Sequence, residues 1–449
     1  MLPQILRSIF PEPLTAGTET QHRRFLLRNL ALHFRPTTVP RNTLRFSHTW
    51  GLGGMAATLV LLQLGSGLLL KFAYEPDPVA AYGSLQAMIS GAPFGGLVRN
   101  LHYWCAHLLV AVILLHLLRV FFTGAFHPPR QFNWIVGMGL LAIVLSANFT
   151  GYLLPWDQLA FWAVTVSTGM LEYIPFVGDY FQALIRGGGE IGPQTLQTFY
   201  ALHTAVIPLL LVGLMAFHFW RVRKARGLVV PRLPGAPVPV KPDKAPTVPD
   251  LLVREIVVAL MMTAFVLLLA TFFSAPLGDQ ANPGLSPNPT RAPWYFAGLQ
   301  ELLLHLHPVF AVWVIPTLAV LGLMAIPYLP YPADTGGIWF ASRIGRRTAA
   351  IGALTGILAT PLLILASEWR STDASISASL PPLVGRGLVP AVVLLLALAG
   401  FGWILKKHYR AATNEIVQAI LALALGAYGI LTITGVWFRG AGMTLTVPW

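Results

Sequence analysis

Four histidines stand inside long apolar stretches as two matched pairs, His102 with His116 and His203 with His218. An imidazole at membrane depth is costly unless something binds it or pairs with it. The spacings are 14 and 15 residues. Both are close to four helical turns, so each pair shares one face, with about 21–23 Å between its members along the axis. Two such helices side by side stack two sites, each with one histidine from each helix. That arrangement suits two bis-histidine haems, one near each membrane surface, and an electron path across the bilayer.

Glycines repeat the same period. Gly53 and Gly67 are 14 apart, as are Gly137 and Gly151. A glycine facing a flat macrocycle lets the backbone come close where a side chain would block it. Any one glycine reads equally as small-residue helix packing; two pairs in register with two histidine pairs favour haem. Arg99 and Arg119 flank the histidines of the second apolar segment. They are placed either to pair with haem propionates or to anchor the helix at the interface. His107, five residues after His102, points elsewhere and reads as a packed or hydrogen-bonded histidine.

The elements that must position these residues are membrane helices. Of the 449 residues, 55% are hydrophobic and 10% charged, and the mean hydropathy is +0.66. A soluble protein carries about 25% charge. Nine apolar segments are long enough to span a bilayer, at roughly 48–72, 101–123, 133–154, 198–220, 251–274, 309–328, 348–367, 388–405 and 416–438. The expected fold is therefore all-α, a polytopic bundle whose first four spans carry the histidines. Five regions are expected: 1–47, a segment with an interfacial amphipathic helix at Arg23–Leu30; 48–230, the four-helix di-haem domain; 231–250, a connector with seven prolines; 251–330, a second domain; and 331–449, additional spans.

The net charge of +13 does not form one basic patch, so nucleic acid is not indicated. Basic residues crowd alternate loops: seven arginines before residue 48, seven Lys and Arg between the fourth and fifth spans, then Arg343, Arg346 and Arg347, then Lys406, Lys407 and Arg410. The positive-inside rule puts these loops and the N-terminus on the cytoplasmic side of a bacterial inner membrane. His102 and His203 then lie near the outer face, His116 and His218 near the inner. The first 47 residues do not look like a cleaved signal peptide. The single cysteine, Cys105, excludes an internal disulfide, a C-x-x-C-H haem attachment and a cysteine-held iron–sulfur cluster within this chain.

Several motifs agree in order and spacing. They are Arg99-Asn100-Leu101-His102, His116-Leu117-Leu118-Arg119, Gly151-Tyr152-Leu153-Leu154-Pro155-Trp156-Asp157-Gln158 and Phe199-Tyr200-Ala201-Leu202-His203. Together, over about residues 45–330, the chain resembles cytochrome b of the quinol:cytochrome c oxidoreductases, the bc1 and b6f complexes. The 15-residue spacing and the Trp-Asp after Pro155 resemble the b6/subunit IV and menaquinol-type branch, with both halves fused. The resemblance implies two non-covalent b-type haems, held by His102 with His203 and by His116 with His218. It implies quinol or quinone as substrate, menaquinone among the options. It also implies a Rieske-type iron–sulfur protein and a c-type cytochrome as partners, a homodimeric complex and proton translocation. Its outer quinol pocket would draw on Phe149, Tyr152, Trp156, Pro293, Trp294, Tyr295 and Phe296.

Two departures qualify that picture. The family usually carries Pro-Glu-Trp-Tyr at the outer pocket, and its glutamate is thought to take a quinol proton. Here the run is Ala292-Pro293-Trp294-Tyr295, and a proline cannot accept a proton. Glu301 is the preferred substitute, with Asp157, His305 and His307 as alternatives. The photosynthetic branch also attaches an extra haem through a cysteine near the start of the first span. Gly51 aligns there, so no covalent third haem is expected. At the inner end Arg221, Arg223 and Asp250 are expected to bind a quinone headgroup, unless the arginines only set topology. Two other classes remain open. One is the di-haem quinone-reacting anchor of another dehydrogenase, against which the Pro-Trp-Tyr-Phe run argues. The other is a proton-coupled transporter with a histidine relay, which would contain no haem.

Overall fold

The computed structural model describes residues 36–225, 227–231, 243–331, 336–372 and 380–447. The amphipathic segment Arg23–Leu30, most of the proline-rich connector and Trp449 lie outside these residues. Among the described residues, nine helices are long and apolar enough to cross a membrane. The helical elements used below are α1 Leu52–Lys71, α2 Gly95–Phe122, α3 Gln131–Leu153, α4 Gln158–Gly169, α5 Pro193–Lys224, α6 Leu252–Phe272, α7 Trp294–His305, α8 Val309–Tyr328, α9 Arg343–Thr372, α10 Val384–Tyr409 and α11 Thr413–Trp437. α4 and α7 are shorter and belong to the two long loops; the other nine are the spans. The spans match the expected segments, but α2 starts several residues earlier, at Gly95, and α9 starts at Arg343. Apolar runs mark only the part of a helix that lipid must cover. Helices continue into polar ends where their backbone stays hydrogen-bonded.

The first four spans form two packed pairs, α1 on α2 and α3 on α5, and α6 lies against both α1 and α2. Leu59, Cys105, Val110 and Val266 are completely or almost completely buried where α1, α2 and α6 meet. A two-stranded ribbon joins β1, Thr38–Pro40, to β2, Lys244–Pro246. An Arg41–Asp243 ion pair at 3.0 Å adjoins it. The end of the connector is thus paired to the segment just before α1, rather than being a free tether.

The last helices are not peripheral. α9 and α11 pack so closely that a Cβ on Gly352 or Gly356 would collide with the carbonyl oxygen of Ala419 or Leu423. Small residues permit this approach between membrane helices, where burial from water contributes little. The other face of α11 packs on α7, where Gly298 meets the Tyr428 ring and Gly435 meets the Ala297 carbonyl. Tyr428 also donates from its hydroxyl to the Tyr295 carbonyl at 2.9 Å. Gly356→Leu should therefore push α9 from α11 and cost about 1–3 kcal/mol or more. Thermal unfolding of the detergent-solubilised protein should show a lower midpoint for it and an unchanged one for Gly400→Leu, because nothing lies within 4 Å of a Cβ placed on Gly400.

Candidate functional site

The outer histidines face each other across the bundle. The His102 and His203 ring centroids are 6.1 Å apart, with planes at 76°. Their Nδ1 atoms are both held from behind. His203 Nδ1 donates to the Ala147 carbonyl at 3.0 Å. Ser66 gives its own hydrogen to the Leu62 carbonyl at 2.7 Å, so its oxygen accepts from His102 Nδ1 at 3.0 Å. With the proton fixed on Nδ1, each Nε2 keeps a free lone pair. This is how a metal-ligating imidazole is oriented by the partner of its other nitrogen.

Each histidine is also backed by one of the four glycines. A Cβ at Gly53 would lie 3.6 Å from His116 Cε1, at Gly67 3.1 Å from His102 Cε1, at Gly137 3.8 Å from His218 Cε1, and at Gly151 2.5 Å from His203 Cε1. The glycines therefore make room for the imidazoles themselves, whereas the spacing had suggested room for a macrocycle. α1 supports the histidines of α2, and α3 supports those of α5. At the inner level His218 Nδ1 is buried without a hydrogen-bond partner, so the inner pair lacks the backing bond that orients each outer imidazole. The donor set is two neutral imidazoles per level, which is what iron needs when a tetrapyrrole fills its remaining positions. The residues present fit b-type haem at both levels.

The flanking arginines are engaged by protein. Arg99 donates to the carbonyls of Ala275 and Pro276 at 2.7 and 2.6 Å. Asn100 and Trp104 reach the same stretch, at the carbonyls of Ala270 and Phe273. Arg119 Nε donates to the His48 carbonyl at 3.1 Å. These bonds make both arginines fasteners of neighbouring loops.

At the outer end the α3–α4 loop and the α6–α7 loop are stitched together. Gln158 N donates to the Asp279 carbonyl at 2.8 Å, and Ala281 N donates to the Trp156 carbonyl at 3.1 Å. Asp157 caps α4 by accepting from Ala160 N at 2.9 Å, and accepts from Gly278 N at 3.1 Å with its other oxygen. Trp156 is buried in a cluster with Leu153, Phe161 and Phe199, and Phe149 packs on Phe199 with centroids 5.6 Å apart. Pro293 is the residue before α7. Trp294, Tyr295 and Phe296 form its first turn, with neighbouring centroids 5.4 and 4.9 Å apart. Tyr152 lies within electrostatic reach of Tyr295, Tyr103 and Asp157. Burial, and secondarily Tyr103, pushes the Tyr295 phenol above its ordinary range, so it is a neutral hydroxyl able to donate.

Glu301 is placed differently from expectation. It is completely buried, and Arg439 grips both its oxygens at 2.5 and 2.9 Å. His305 Nε2 is 3.1 Å from the same carboxylate, and Arg439 reaches Glu368 at 2.8 Å. Burial alone would raise this carboxyl, but the hydrogen bonds from His305 and Arg439, with their charges, outweigh it and hold Glu301 below the usual carboxylate range. The occupied oxygens make Glu301 a structural tie between α7 and the residues after α11. Two residues central to this region, Arg439 and His107, had no functional reading from sequence. His107 Nδ1 accepts from Trp294 Nε1 at 3.0 Å. Its i,i+4 spacing from Tyr103 was the available signal.

The inner residues are not drawn into one cluster. Arg221 lies over the Phe132 ring at 5.3 Å, and the Asp250 backbone carbonyl accepts from Arg254 at 2.5 Å. Among the described residues no ion pair joins Arg221 to Asp250.

A helical membrane bundle with two levels of paired, backed imidazoles defines a b-type cytochrome. The family model Cytochrome b/b6/petB matches residues 38–226. Cytochrome b6 of Synechococcus sp. (strain CC9311) is 39% identical over 201 residues, 45% of this chain and 91% of that protein. Cytochrome b6 of Gracilaria tenuistipitata var. liui is 42% identical over 173 residues, 38% of this chain and 80% of that protein. A solved chain described as hyperthermophilic respiratory Complex III superposes with a TM-score of 0.66 at 21% identity, covering 94% of this chain and 99% of that one. The chain belongs to the cytochrome b/b6 family and is a bc-type cytochrome b, an integral membrane electron-transport protein. The family match lies in the first half, while the structural likeness extends the fold over nearly the whole chain.

Two outcomes are expected. Gly151→Val should displace His203 and remove about half of the b-haem absorbance of the purified protein, since one of two levels is lost. Arg439→Leu should leave Glu301 buried and uncompensated, at a cost of about 3–5 kcal/mol in a thermal or denaturant measurement. The wild-type tie itself contributes fully above the unfolded carboxylate pKa, about 4.3, and is lost as pH falls through the lower folded value. The stability gap between wild type and Arg439→Leu should therefore close only on strong acidification.

Proposed function

We propose that this chain is the di-haem cytochrome b subunit of a quinol:cytochrome c oxidoreductase. The carrying observation is the pair of opposed imidazoles, His102 and His203, each fixed through Nδ1. His116 and His218 form a second pair one level inward, each backed by a glycine of the facing helix. Bound b-type haem supplies reversible one-electron transfer at each level. His102, His203, His116 and His218 would hold the haem iron at each level, while the surrounding helices would exclude water and set the distance between levels.

The outer quinol site lies where the α3–α4 loop meets α7, with Tyr152, Trp294, Tyr295 and Phe296 around it. Tyr295 and Tyr152 orient the quinol ring by neutral hydroxyls and aromatic faces. Asp157 and Glu301 keep the surrounding loops in place. The inner quinone site lies near Arg221, Arg223 and Asp250. Quinol oxidised outside and quinone reduced inside would move protons outward, with the N-terminus cytoplasmic in a bacterial inner membrane. Each charge crossing costs about 2.3 kcal/mol per 100 mV. A Rieske-type iron–sulfur protein, a c-type cytochrome and a second copy of the chain are the proposed partners. The halves 48–230 and 251–330 serve as haem domain and quinol-loop domain, with 331–449 bracing the latter.

The test is a reduced-minus-oxidised spectrum of the purified complex with quinol as reductant. Two b-type haems reduced by quinol are expected, with His203→Leu retaining only the inner one. A protein without haem, or with haem that quinol cannot reduce, would overturn the reading.

A further inference from the structure

Quinol oxidation releases protons, so the outer site needs a base. Position 293 is a proline. Asp157 is occupied by α4 and Gly278, and Glu301 by Arg439. The titratable side chain joined to the Trp294–Tyr295 corner is His107. It lies five residues beyond His102 on α2, about 140° around the helix, and so away from the haem face.

Its hydrogen bond fixes its state. An indole only donates, so His107 Nδ1, which accepts from Trp294 Nε1 at 3.0 Å, carries a lone pair and the ring proton sits on Nε2. Among the described residues Nε2 has no hydrogen-bond partner. The Tyr103 ring is 4.4 Å away and the Tyr295 ring 6.2 Å, centroid to centroid. Trp294, the group covering the lone pair, is 37% exposed. His107 is therefore a neutral base whose lone pair is capped by a side chain on the open side of the site.

Resting on the outer-site reading above, we propose that His107 is the proton acceptor for quinol oxidised there. The quinol hydroxyl takes the place of the Trp294 indole at Nδ1. Its O–H bond breaks, the electron pair stays on the quinol oxygen, and the proton bonds to Nδ1. The imidazolium then gives its Nε2 proton to a water molecule at the outer surface. This returns the ring to a neutral state. Tyr103, one turn nearer the outer end of α2, packs on the ring. The groups facing His107 are Tyr103 from its own helix and Trp294 and Tyr295 from α7, with Tyr152 from α3 beyond them. Trp104, also on α2, has its ring centroid 6.2 Å from that of His107 and donates to the Phe273 carbonyl just after α6. No carboxylate hydrogen-bonds or pairs with the ring among the described residues.

The experiment is quinol:cytochrome c reduction by the intact complex across pH, for wild type, His107→Leu, His107→Gln and Trp294→Phe, with the b-haem spectrum of each recorded. Loss of a positioned general base lowers rate by roughly 10²-fold or more. Both His107 variants should keep both haems, lose that rate and lose the acidic limb of the profile. Trp294→Phe should keep the limb and move it upward, because the donor favouring the neutral ring is gone. A His107→Gln complex with both haems, wild-type rate and wild-type profile overturns the proposal. A wild-type complex that does not oxidise quinol overturns the outer-site reading instead, so the two failures are distinguishable.

Discussion

Everything in the first half of this protein depends on keeping four neutral imidazoles inside an apolar bundle at fixed orientation. Water cannot satisfy them there, so at the outer level backbone and hydroxyl groups of the facing helices do. Ser66 and the Ala147 carbonyl do this for His102 and His203. Glycines at the matching turns let α1 and α3 come close enough. The spacing of histidines on α2 and α5 is thus tied to the spacing of glycines on their partners. Neither series is free to change alone.

The second half answers a different constraint. α7 carries the aromatic corner but is only twelve residues long, too short to hold itself in lipid or at its surface. α11 supplies the missing support through Tyr428, Gly435 and the buried Arg439 grip on Glu301. Arg291 closes the same junction by donating to the Arg439 carbonyl at 2.6 Å. A buried ion pair stabilises little against an apolar alternative, but it fixes geometry once formed. That explains why helices beyond residue 331, with no chemistry-bearing motif, are part of the site's construction.

The sequence disclosed the features that depend on period and composition. The nine spans, the histidine pairs and the glycine register were all legible, because lipid demands long apolar helices and shared faces demand fixed spacing. The roles of polar side chains were less legible. Glu301 stood near the right motif, but its partner Arg439 is 138 residues away, a pairing no local pattern announces. Arg99 and Arg119 carry the charge a propionate would need, yet their donors meet backbone carbonyls of distant loops. His107 read as a packed histidine because its partner, Trp294, lies on a different element.

The stretch from Leu277 to Pro293 is held at both ends. Arg99, Asn100 and Trp104 grip residues 270–276 before it, and the α7–α11 junction anchors its far end. Its first residues, Gly278, Asp279 and Ala281, are stitched to Asp157, Gln158 and Trp156. Mechanically it is a strap clamped at two points and tacked again just past the first. A load applied to it from the aqueous side can bow it locally but cannot swing it as a flap. Force arriving there passes into α2 and α11, so contact at the outer surface is felt as strain along the helix that carries two of the four histidines.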